Sequence, residues 1–540
     1  MGRGPVGDLE RFEQACRAMA HPAFYPHRVS SLQRRDTHIS VVFLTGELVY
    51  KLKKPIDFGF LDYTGLEARR KMCELEVKLN KRLSRGVYLG VVELRREDGR
   101  FHFGGGGEVV EYAVKMKQLP DDASLSNRIV CGKAQPDEML GLGRHLAEFY
   151  AAAERSEQID LFGAHQVIEF NTEENFRQLA PFVGNLVGQE RFDFIVESSR
   201  GFLRDRGGLF QRRVEEGRIR DGHGDLRAEH VYFLDGIQII DCIEFNERFR
   251  YGDTAVDLAF LHMDVERLAG PDLSLPVLNG YTESSRDYGI YTLMDFYSCY
   301  RAVVKMKISC LSNTELPPGP RKREMQMRAC QYLDLAFRYA VQFARPTLYV
   351  LCGLSGTGKS TYAKRLREIF DIALVRSDTA RKELPGYSAR RGPVPFGTGI
   401  YRPEMRGWVY SWLLSTVQEE LKKGRSAILD ATFSSRKWRE EAVRLAKDLD
   451  ASILFFECVS SQDTILERLG RRREGEDGQS DARPEHLPGL VDEFESMDEL
   501  APELHTMINT ETEIEANLRT ILTGAYSKRR MQVEEIIARL

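Results

Sequence analysis

The segment TLYVLCGLSGTGKSTYAKRLREIF (347–370) decides the fold of the C-terminal part of the chain. It runs from an apolar stretch through a glycine-rich loop into a helical pattern, which predicts a strand, a tight loop and a helix. GLSGTGKST (353–361) fits the pattern G-x-x-x-x-G-K-[ST], in which backbone N–H groups converge on phosphate oxygens. The residues that we expect to hold ATP are Gly353, Ser355, Gly356, Thr357, Gly358, Lys359, Ser360 and Thr361. Lys359 would reach the β and γ phosphates, and Ser360 would hold Mg²⁺.

Downstream of this segment, strand-like and helix-like stretches alternate up to about residue 472. This alternation predicts an α/β domain with a parallel sheet and a helical lid over residues 346–540. We expect a separate domain over residues 1–345. The irregular stretch 385–404 is predicted to be a mobile loop over the second site.

Polar residues follow the predicted strands of this second domain. Asp378 ends VRSD and precedes Arg381 by three residues, while Asp430 ends SAILD. We expect Asp378 to accept a proton from a substrate hydroxyl, with a helix N-cap as the alternative, and Arg381 to anchor the acceptor. Asp430 is suited to orienting Mg²⁺ through water.

A basic run, ILERLGRRREG, supplies Arg468, Arg471 and Arg472. Arginines on a lid would stabilise charge on a transferring phosphoryl group, and a solvated helix end is the alternative. Residues 346–510 resemble the small P-loop kinases, namely polynucleotide 5′-kinases, zeta toxins and gluconate-kinase-like enzymes. The resemblance implies that Arg468 and Arg472 act in catalysis with Lys359, Asp378 and Arg381.

A second phosphate-handling signal lies upstream, in HGDLRAEHVYFLDGIQIIDCIEF (223–245). Asp225 would orient a substrate hydroxyl and take its proton. Asp235-Gly236 predicts a hairpin that returns the chain so that Asp241 can hold Mg²⁺. Lys51, in LVYKLKK, is the candidate for the α and β phosphates. Glu76 could hold this lysine from a helix, although Glu74 and an ordinary surface pair remain alternatives.

Residues 30–310 resemble the aminoglycoside phosphotransferase family, which has the α+β protein-kinase-like fold. The resemblance rests on residues 223–260, including GDTAVDLAFL, and on YKLKKP with the FGFLDY that follows it. In a bacterial subgroup this domain is fused to a P-loop kinase, and that architecture covers nearly the whole chain. The resemblance implies an ATP- and Mg²⁺-dependent kinase, with Asp253 and Asp257 structural.

His230 is a candidate metal-ligand position, but it departs from the family pattern, which has Asn there as a ligand of a second Mg²⁺. Imidazole nitrogen is a poor Mg²⁺ ligand. Three alternatives follow. His230 hydrogen-bonds Asp225 and leaves a one-metal site, Glu244 or Glu229 replaces the missing ligand, or the site binds nucleotide without transfer. His223 is expected to brace the loop.

Composition narrows the possible partners. The 540 residues carry a net charge of −4, which does not favour an extended nucleic-acid interface. The nine cysteines are scattered, and the N-terminus lacks an apolar signal core, so we expect a cytoplasmic protein that does not enter membranes. On FYSCYRAVVKMK (296–307), Tyr297, Arg301 and Lys305 share one helical face, which lines an acceptor pocket or is solvated.

The favoured function is a bifunctional kinase in which each domain phosphorylates a hydroxyl of a small, polar, sugar-like molecule. In the alternative, the N-terminal domain is a catalytically weak nucleotide sensor that regulates the P-loop kinase. A third hypothesis makes the P-loop domain a polynucleotide 5′-hydroxyl kinase, which the spacing of Asp378 and Arg381 suggests and the charge balance disfavours.

Overall fold

The computed structural model describes residues 2–3, 6–59, 61–382, 403–474 and 483–537. Contacts between Cα atoms divide the chain into two compact units. Unit 1 comprises Met1–Ile168 and Arg212–Arg286, and unit 2 comprises Glu169–Gln211 and Asp287–Leu540. The domain boundary near residue 345 stays a prediction.

Strands occur in both units. In unit 1 they are β1 Gly2–Arg3, β2 Gln33–Asp36, β3 Ser40–Leu44, β4 Leu48–Lys53, β5 Ile56–Asp57, β6 Tyr88–Glu97, β7 Arg100–Phe103, β8 Glu108–Lys117, β9 Ile219–Asp221, β10 Val231–Leu234, β11 Gly236–Ile239 and β12 Tyr251–Asp253. In unit 2 they are β13 Thr347–Cys352, β14 Ala373–Arg376, β15 Ala427–Asp430, β16 Ser452–Val459 and β17 His505–Asn509.

Helices connect these strands and also form long helical stretches of their own. In chain order they are α1 Val6–Met19, α2 Leu66–Asn80, α3 Leu125–Val130, α4 Pro136–Ala152, α5 Glu157–Asp160, α6 His165–Leu179, α7 Gln189–Asp205, α8 Gly207–Glu215, α9 Glu247–Arg250, α10 Thr254–Ala269, α11 Pro271–Ser285, α12 Ile290–Glu315, α13 Pro320–Ala344, α14 Lys359–Phe370, α15 Ser377–Lys382, α16 Pro403–Lys422, α17 Arg436–Asp448, α18 Gln462–Glu474, α19 Leu487–Asp492 and α20 Ile514–Ile537.

An antiparallel sheet in the order β2-β3-β4-β8-β6-β7 organises unit 1. Side chains alternate between the two faces of a strand. On β4, Tyr50 and Leu52 therefore join the apolar core beneath α1, while Val49 joins the core beneath α2. Lys51 and Lys53 share the face of Val49, so the strand directs both lysines toward α2.

The glycine run 104–107 does not form a hairpin tip. It connects β7 to β8, which pair with opposite edges of β6. The tight turn lies earlier, between β6 and β7, at Asp98 and Gly99, whose φ angles are 47° and 78°. Two consecutive residues with positive φ give the turn geometry that suits a two-residue hairpin. The hairpin predicted at Asp235-Gly236 is present, and a further hairpin joins β3 to β4.

Unit 2 is built on a parallel sheet in the order β14-β15-β13-β16-β17. The apolar side chains of its central strands, such as Val350 and Leu429, form one core with α16 and α17. Helix α12 belongs to the same unit and contacts α20 through Asp295, which accepts a hydrogen bond of 2.8 Å from the Tyr526 hydroxyl and pairs with Arg529. Parallel pairing places the carboxyl ends of the strands at one edge, where Asp430 ends β15.

Candidate active sites

The glycine-rich loop of unit 2 links β13 to α14. Gly353, Gly356 and Gly358 have φ angles of 120°, 91° and 92°, a region that favours glycine. A Cβ atom on Gly353 would also clash with the carbonyl oxygen of Cys458. Lys359 is buried and donates a hydrogen bond of 2.8 Å to the carbonyl of Leu354, within the loop. Burial lowers the pKa of Lys359, so an anionic ligand would stabilise its charge.

Two aspartates lie beside this loop at the edge of the sheet. Asp378 is half-buried in the first turn of α15, after the N-cap position, and accepts a hydrogen bond of 2.7 Å from Arg381. Burial raises the pKa of Asp378, while Arg381 lowers it. Asp430 is buried at the end of β15. The structure therefore brings Asp378, Arg381 and Asp430 to the same edge, as their positions after strands predict.

Arg376 joins these groups, and sequence reasoning missed it. Its Nε donates to Asp430 Oδ2 at 3.1 Å, and its Nη2 donates to Ser360 Oγ at 3.4 Å. The same Nη2 lies 3.7 Å from Asp378 Oδ2. Arg376 is the last residue of β14 and pairs in register with Asp430 on β15. Its position at the end of a predicted strand, two residues before Asp378, was the feature of the sequence that could have indicated a place in this site.

The arginines of the predicted lid behave differently from one another. Arg468 lies at the glycine loop, where its Nη1 and Nη2 donate to Thr510 Oγ1 at 2.9 Å and to the Thr510 carbonyl at 2.8 Å. Arg471 is 77% exposed and pairs with Glu467 along the helix, as a solvated helix end does. The side chain of Arg472 and residues 385–402 of the predicted loop lie outside the described residues.

In unit 1, Lys51 lies between two carboxylates. Its Nζ is 2.9 Å from Glu76 Oε1 and 2.6 Å from Asp241 Oδ1. Burial opposes the charge on Asp241, but Lys51 holds the pKa of that carboxyl well below its ordinary value. Glu74, the alternative partner, is half-exposed and pairs with Arg70 instead. Residues far apart in the sequence thus meet at one lysine.

A second lysine extends this cluster, and sequence reasoning also missed it. Lys53 is fully buried and pairs with both Glu76 and Glu244. Glu244 Oε1 also accepts a hydrogen bond of 2.8 Å from the Tyr63 hydroxyl. These contacts tie β4 to α2 and to the segment that carries Asp241. They give Glu244 a positioning role and do not direct it to a magnesium ion.

Asp257 fixes the start of the loop that carries Asp225. Its carboxylate accepts hydrogen bonds from the backbone N–H groups of His223 at 2.6 Å and Gly224 at 2.9 Å. His223 Nε2 donates to the carbonyl of Ile240 at 3.0 Å. Burial lowers the pKa of His223 to about 4, so the ring is neutral at pH 7. His223 therefore links the loop to the strand that leads to Asp241.

Asp225 is held within the loop by Arg227. The guanidinium donates from Nε to Oδ1 at 3.0 Å and from Nη2 to Oδ2 at 2.8 Å. His230 Nδ1 donates to the carbonyl oxygen of Asp225 at 2.8 Å. His230 Nε2 lies 3.7 Å from Asp241 Oδ2. Glu229 is half-exposed and pairs with Arg227.

The face of α12 that carries Tyr297, Arg301 and Lys305 is not a solvated surface. Tyr297 and Arg301 are buried, and Lys305 is half-buried. The solvated-face interpretation is therefore wrong for the first two residues, because α12 packs inside unit 2. The acceptor-pocket interpretation stays a prediction.

The groups available for a metal ion are few. Within the described ranges, no group of three or more His, Cys, Asp and Glu side chains is arranged to hold one. Asp241 in unit 1, and Ser360 with Asp430 in unit 2, offer hard oxygen atoms of the kind that Mg²⁺ prefers. In unit 2 the guanidinium of Arg376 already lies between those two groups, which shows that they accommodate positive charge. Both sets fit a Mg²⁺ ion that nucleotide phosphates and water also coordinate.

Sequence comparisons with known proteins give one family model and two relatives. A family model described as an AAA domain matches residues 348–497. Two uncharacterized proteins, of Mycobacterium tuberculosis and Mycobacterium bovis, are each 32% identical over 459 residues, covering 85% of this chain and 89% of the relative. The chain belongs to the same protein family as these two relatives.

Two solved kinases are similar to separate parts of the chain. A choline/ethanolamine kinase family protein from Mesorhizobium loti is 11% identical and covers 61% of this chain and 98% of its own, with a TM-score of 0.36. A gluconokinase from Sinorhizobium meliloti is 16% identical and covers 36% of this chain and 97% of its own, with a TM-score of 0.25.

The fold class and the recognition predicted from the sequence are confirmed. An α+β part with an antiparallel sheet precedes an α/β part with a parallel sheet, and the AAA domain model matches within the second part. The predicted enzyme class, a kinase, is confirmed in general terms. Within the described ranges, no helix combines the length and the apolar character needed to cross a bilayer.

Proposed function

We propose that this protein is a bifunctional phosphotransferase, in which each site transfers the γ-phosphate of ATP to a hydroxyl of a small polar, sugar-like molecule. The observation that carries the proposal is that each unit holds its own lysine, its own metal-type carboxylate and a further aspartate. In unit 1 these are Lys51, Asp241 and Asp225. In unit 2 the aspartates are Asp430 and Asp378.

In unit 1 each candidate residue would have a separate role in phosphate transfer. Lys51, oriented by Glu76, would bind the α and β phosphates. Asp241 would hold Mg²⁺, which when bound neutralises phosphate charge. Asp225 would orient the acceptor hydroxyl and take its proton as the oxygen bonds to phosphorus and the bond to the leaving ADP oxygen breaks.

In unit 2 the glycine loop would surround the phosphates with backbone N–H groups, and Lys359 would neutralise them. Ser360 and Asp430 would hold Mg²⁺. Asp378 is suited to accept the proton, because burial raises its pKa and so strengthens it as a base. Arg381, which contacts Asp378, would bind the acceptor beside this base.

A screen with γ-labelled ATP and a pool of small hydroxylated metabolites tests the proposal. We expect at least two labelled products from the wild type. Asp225→Asn should remove one product and Lys359→Met another. If both variants give every wild-type product at the wild-type rate, phosphotransfer at these sites is excluded. A parallel reaction with 5′-hydroxyl oligonucleotides asks whether the acceptor in unit 2 is a polynucleotide.

A second candidate function is supported by one contact. Both carboxylate oxygens of Asp225 accept hydrogen bonds from Arg227, so the proposed base is already engaged. This arrangement suits a unit 1 that binds nucleotide and regulates unit 2 without transfer. In that case, Lys51→Met would change the rate of the P-loop site, and the full-length Lys359→Met variant would label no metabolite.

A further inference from the structure

Arg227 lies two residues after Asp225 in the loop of unit 1. Arg227 is 19% exposed, and its side chain lies along the carboxylate of Asp225 in a two-point contact. Burial opposes its positive charge, but the carboxylates of Asp225, Asp264 and Asp241 raise the pKa of Arg227. A permanent positive charge therefore lies at the proposed transfer site.

His230 orients this arginine. A carbonyl oxygen can only accept, so the contact with the Asp225 carbonyl places the ring proton on Nδ1. Nε2 then carries a lone pair, which accepts a hydrogen bond of 3.2 Å from Arg227 Nη2. Burial and the charge of Arg227 lower the pKa of His230, which keeps the ring neutral. The lone pair that a metal ion would need is engaged by Arg227.

His230 stands where the family that residues 30–310 resemble has Asn, and this difference changes which cation the loop can hold. An asparagine oxygen suits Mg²⁺, whereas an imidazole nitrogen is a poor ligand for it. The same nitrogen is a good acceptor for a guanidinium, which it fixes here between Asp225 and the neighbourhood of Asp241. An arginine in this place supplies charge without requiring a second metal ion.

We propose that Arg227 is a catalytic residue that contacts the transferring phosphoryl group in place of a second magnesium ion, and that His230 is its positioning residue. The inference rests on the proposed phosphotransfer in unit 1. As the acceptor oxygen bonds to phosphorus, its proton passes to Asp225, and the electron pair of the broken bond stays on the oxygen of ADP. Arg227 would leave one point of its contact with Asp225 and donate to the equatorial phosphoryl oxygens.

Metal stoichiometry tests the first half of the proposal. The full chain carrying Lys359→Met, which disables the P-loop site, is titrated with Mn²⁺ and the β,γ-imido analogue of ATP, and bound Mn²⁺ is counted by electron paramagnetic resonance. Addition of Lys51→Met provides the blank. We expect one Mn²⁺ per bound nucleotide, and two after Arg227→Gln with His230→Asn. Two Mn²⁺ ions before that change, or one after it, would overturn the inference, while absence of nucleotide would refute the proposed function of unit 1.

Turnover tests the second half. ATP hydrolysis, with water as acceptor, is measured in the same Lys359→Met background. We expect Arg227→Ala to lower kcat about 100-fold with little change in the KM for ATP, because its loss removes one charged donor to the transition state. Arg227→Lys should retain part of the rate, and added guanidinium ion at a non-denaturing concentration should restore part of it to Arg227→Ala. Parental turnover by Arg227→Ala would contradict a catalytic role, and failure of both rescues would show a structural one.

Discussion

The two candidate phosphate sites of this chain differ in how far apart their residues lie in the sequence. In unit 2, a single loop of nine residues, 353–361, supplies the backbone donors, the lysine and a metal-type hydroxyl. In unit 1, Lys51, Glu76 and Asp241 come from a strand, a helix and a segment after a hairpin, and they meet only in the folded chain. The local site depends on glycine conformation, whereas the dispersed site depends on buried charge pairs.

The largest expected effect is the loss of phosphate transfer when the proton-accepting aspartate of either site is replaced. Asp225→Asn and Asp378→Asn should each lower transfer at their own site by about 10²–10⁴-fold, because general-base catalysis contributes that much. Each should leave the other site and the KM for ATP unchanged. Product-by-product rates from γ-labelled ATP measure this, with the exposed Asp235→Asn and Asp448→Asn as controls. Loss of both products in one variant would show that the sites are not independent.

The dispersed site should be sensitive to the loss of a buried charge. Lys53→Met leaves Glu76 and Glu244 without their shared partner, and breaking a buried pair costs about 3–5 kcal/mol. Hydrogen exchange of the β4 and α2 amides measures this loss of stability within unit 1. A local measurement is needed because a chain with more than one unit does not unfold in a single two-state step. Lys54→Met, at a partly exposed lysine whose Nζ lies 3.5 Å from Asp36 Oδ1, is the matched control. Equal protection in both variants would show that the buried network does not stabilise unit 1.

The local site should depend on Arg376 to a smaller degree. Arg376→Met removes hydrogen bonds to Asp430 and Ser360, and hydrogen bonds to charged groups contribute about 1.5–3 kcal/mol. We therefore expect transfer at the P-loop site to fall roughly 10–100-fold, with part of the rate retained by Arg376→Lys. Steady-state kinetics with Arg425→Met, an exposed arginine paired with Glu420, as control measures the difference. A rate equal to that of the control would leave Arg376 without a role.

The smallest effect concerns pH. The pKa of Asp241 is lowered in the folded chain, so its ionised form contributes stability above the ordinary pKa of about 4, and this contribution is lost as the pH falls further. Asp241→Asn should therefore lower the melting temperature at pH 7, and the difference from wild type should shrink below about pH 4. Thermal melts between pH 3 and pH 7 measure it. A difference that is constant with pH would contradict the charge pairing with Lys51.

The sequence predicts the local site more completely than the dispersed one. The glycine loop and the strand-end aspartates follow from spacing, because a parallel sheet gathers the carboxyl ends of its strands. In unit 1 the hairpin at Asp235-Gly236 indicates Asp241, but no spacing in the sequence fixes Lys51 and Glu76 as its neighbours. Arg227, Arg376 and Lys53 were missed because their partners depend on tertiary contacts that no spacing encodes. Lys53 lies two residues from Lys51 on the same strand. Because alternate side chains of a strand share one face, this spacing indicated that both lysines point the same way.

The tight turns of unit 1 also depend on contacts that the local sequence does not give. The hairpin predicted at Asp235-Gly236 is present, with Leu234 paired to Gly236, whereas a turn of two residues with positive φ lies at Asp98-Gly99. Glycine content alone does not define a hairpin, because pairing depends on which strands are neighbours in the sheet. Two consecutive residues with positive φ, as at Asp98-Gly99, form a turn whose twist matches that of the paired strands.

Calorimetric titration with Mg²⁺ and the β,γ-imido analogue of ATP tests most directly whether both units bind a nucleotide. We predict two equivalents bound per wild-type chain, one after Lys51→Met, one after Lys359→Met and none in the double variant. A single equivalent in the wild type that Lys51→Met leaves unchanged would contradict a nucleotide site in unit 1, and with it the bifunctional enzyme.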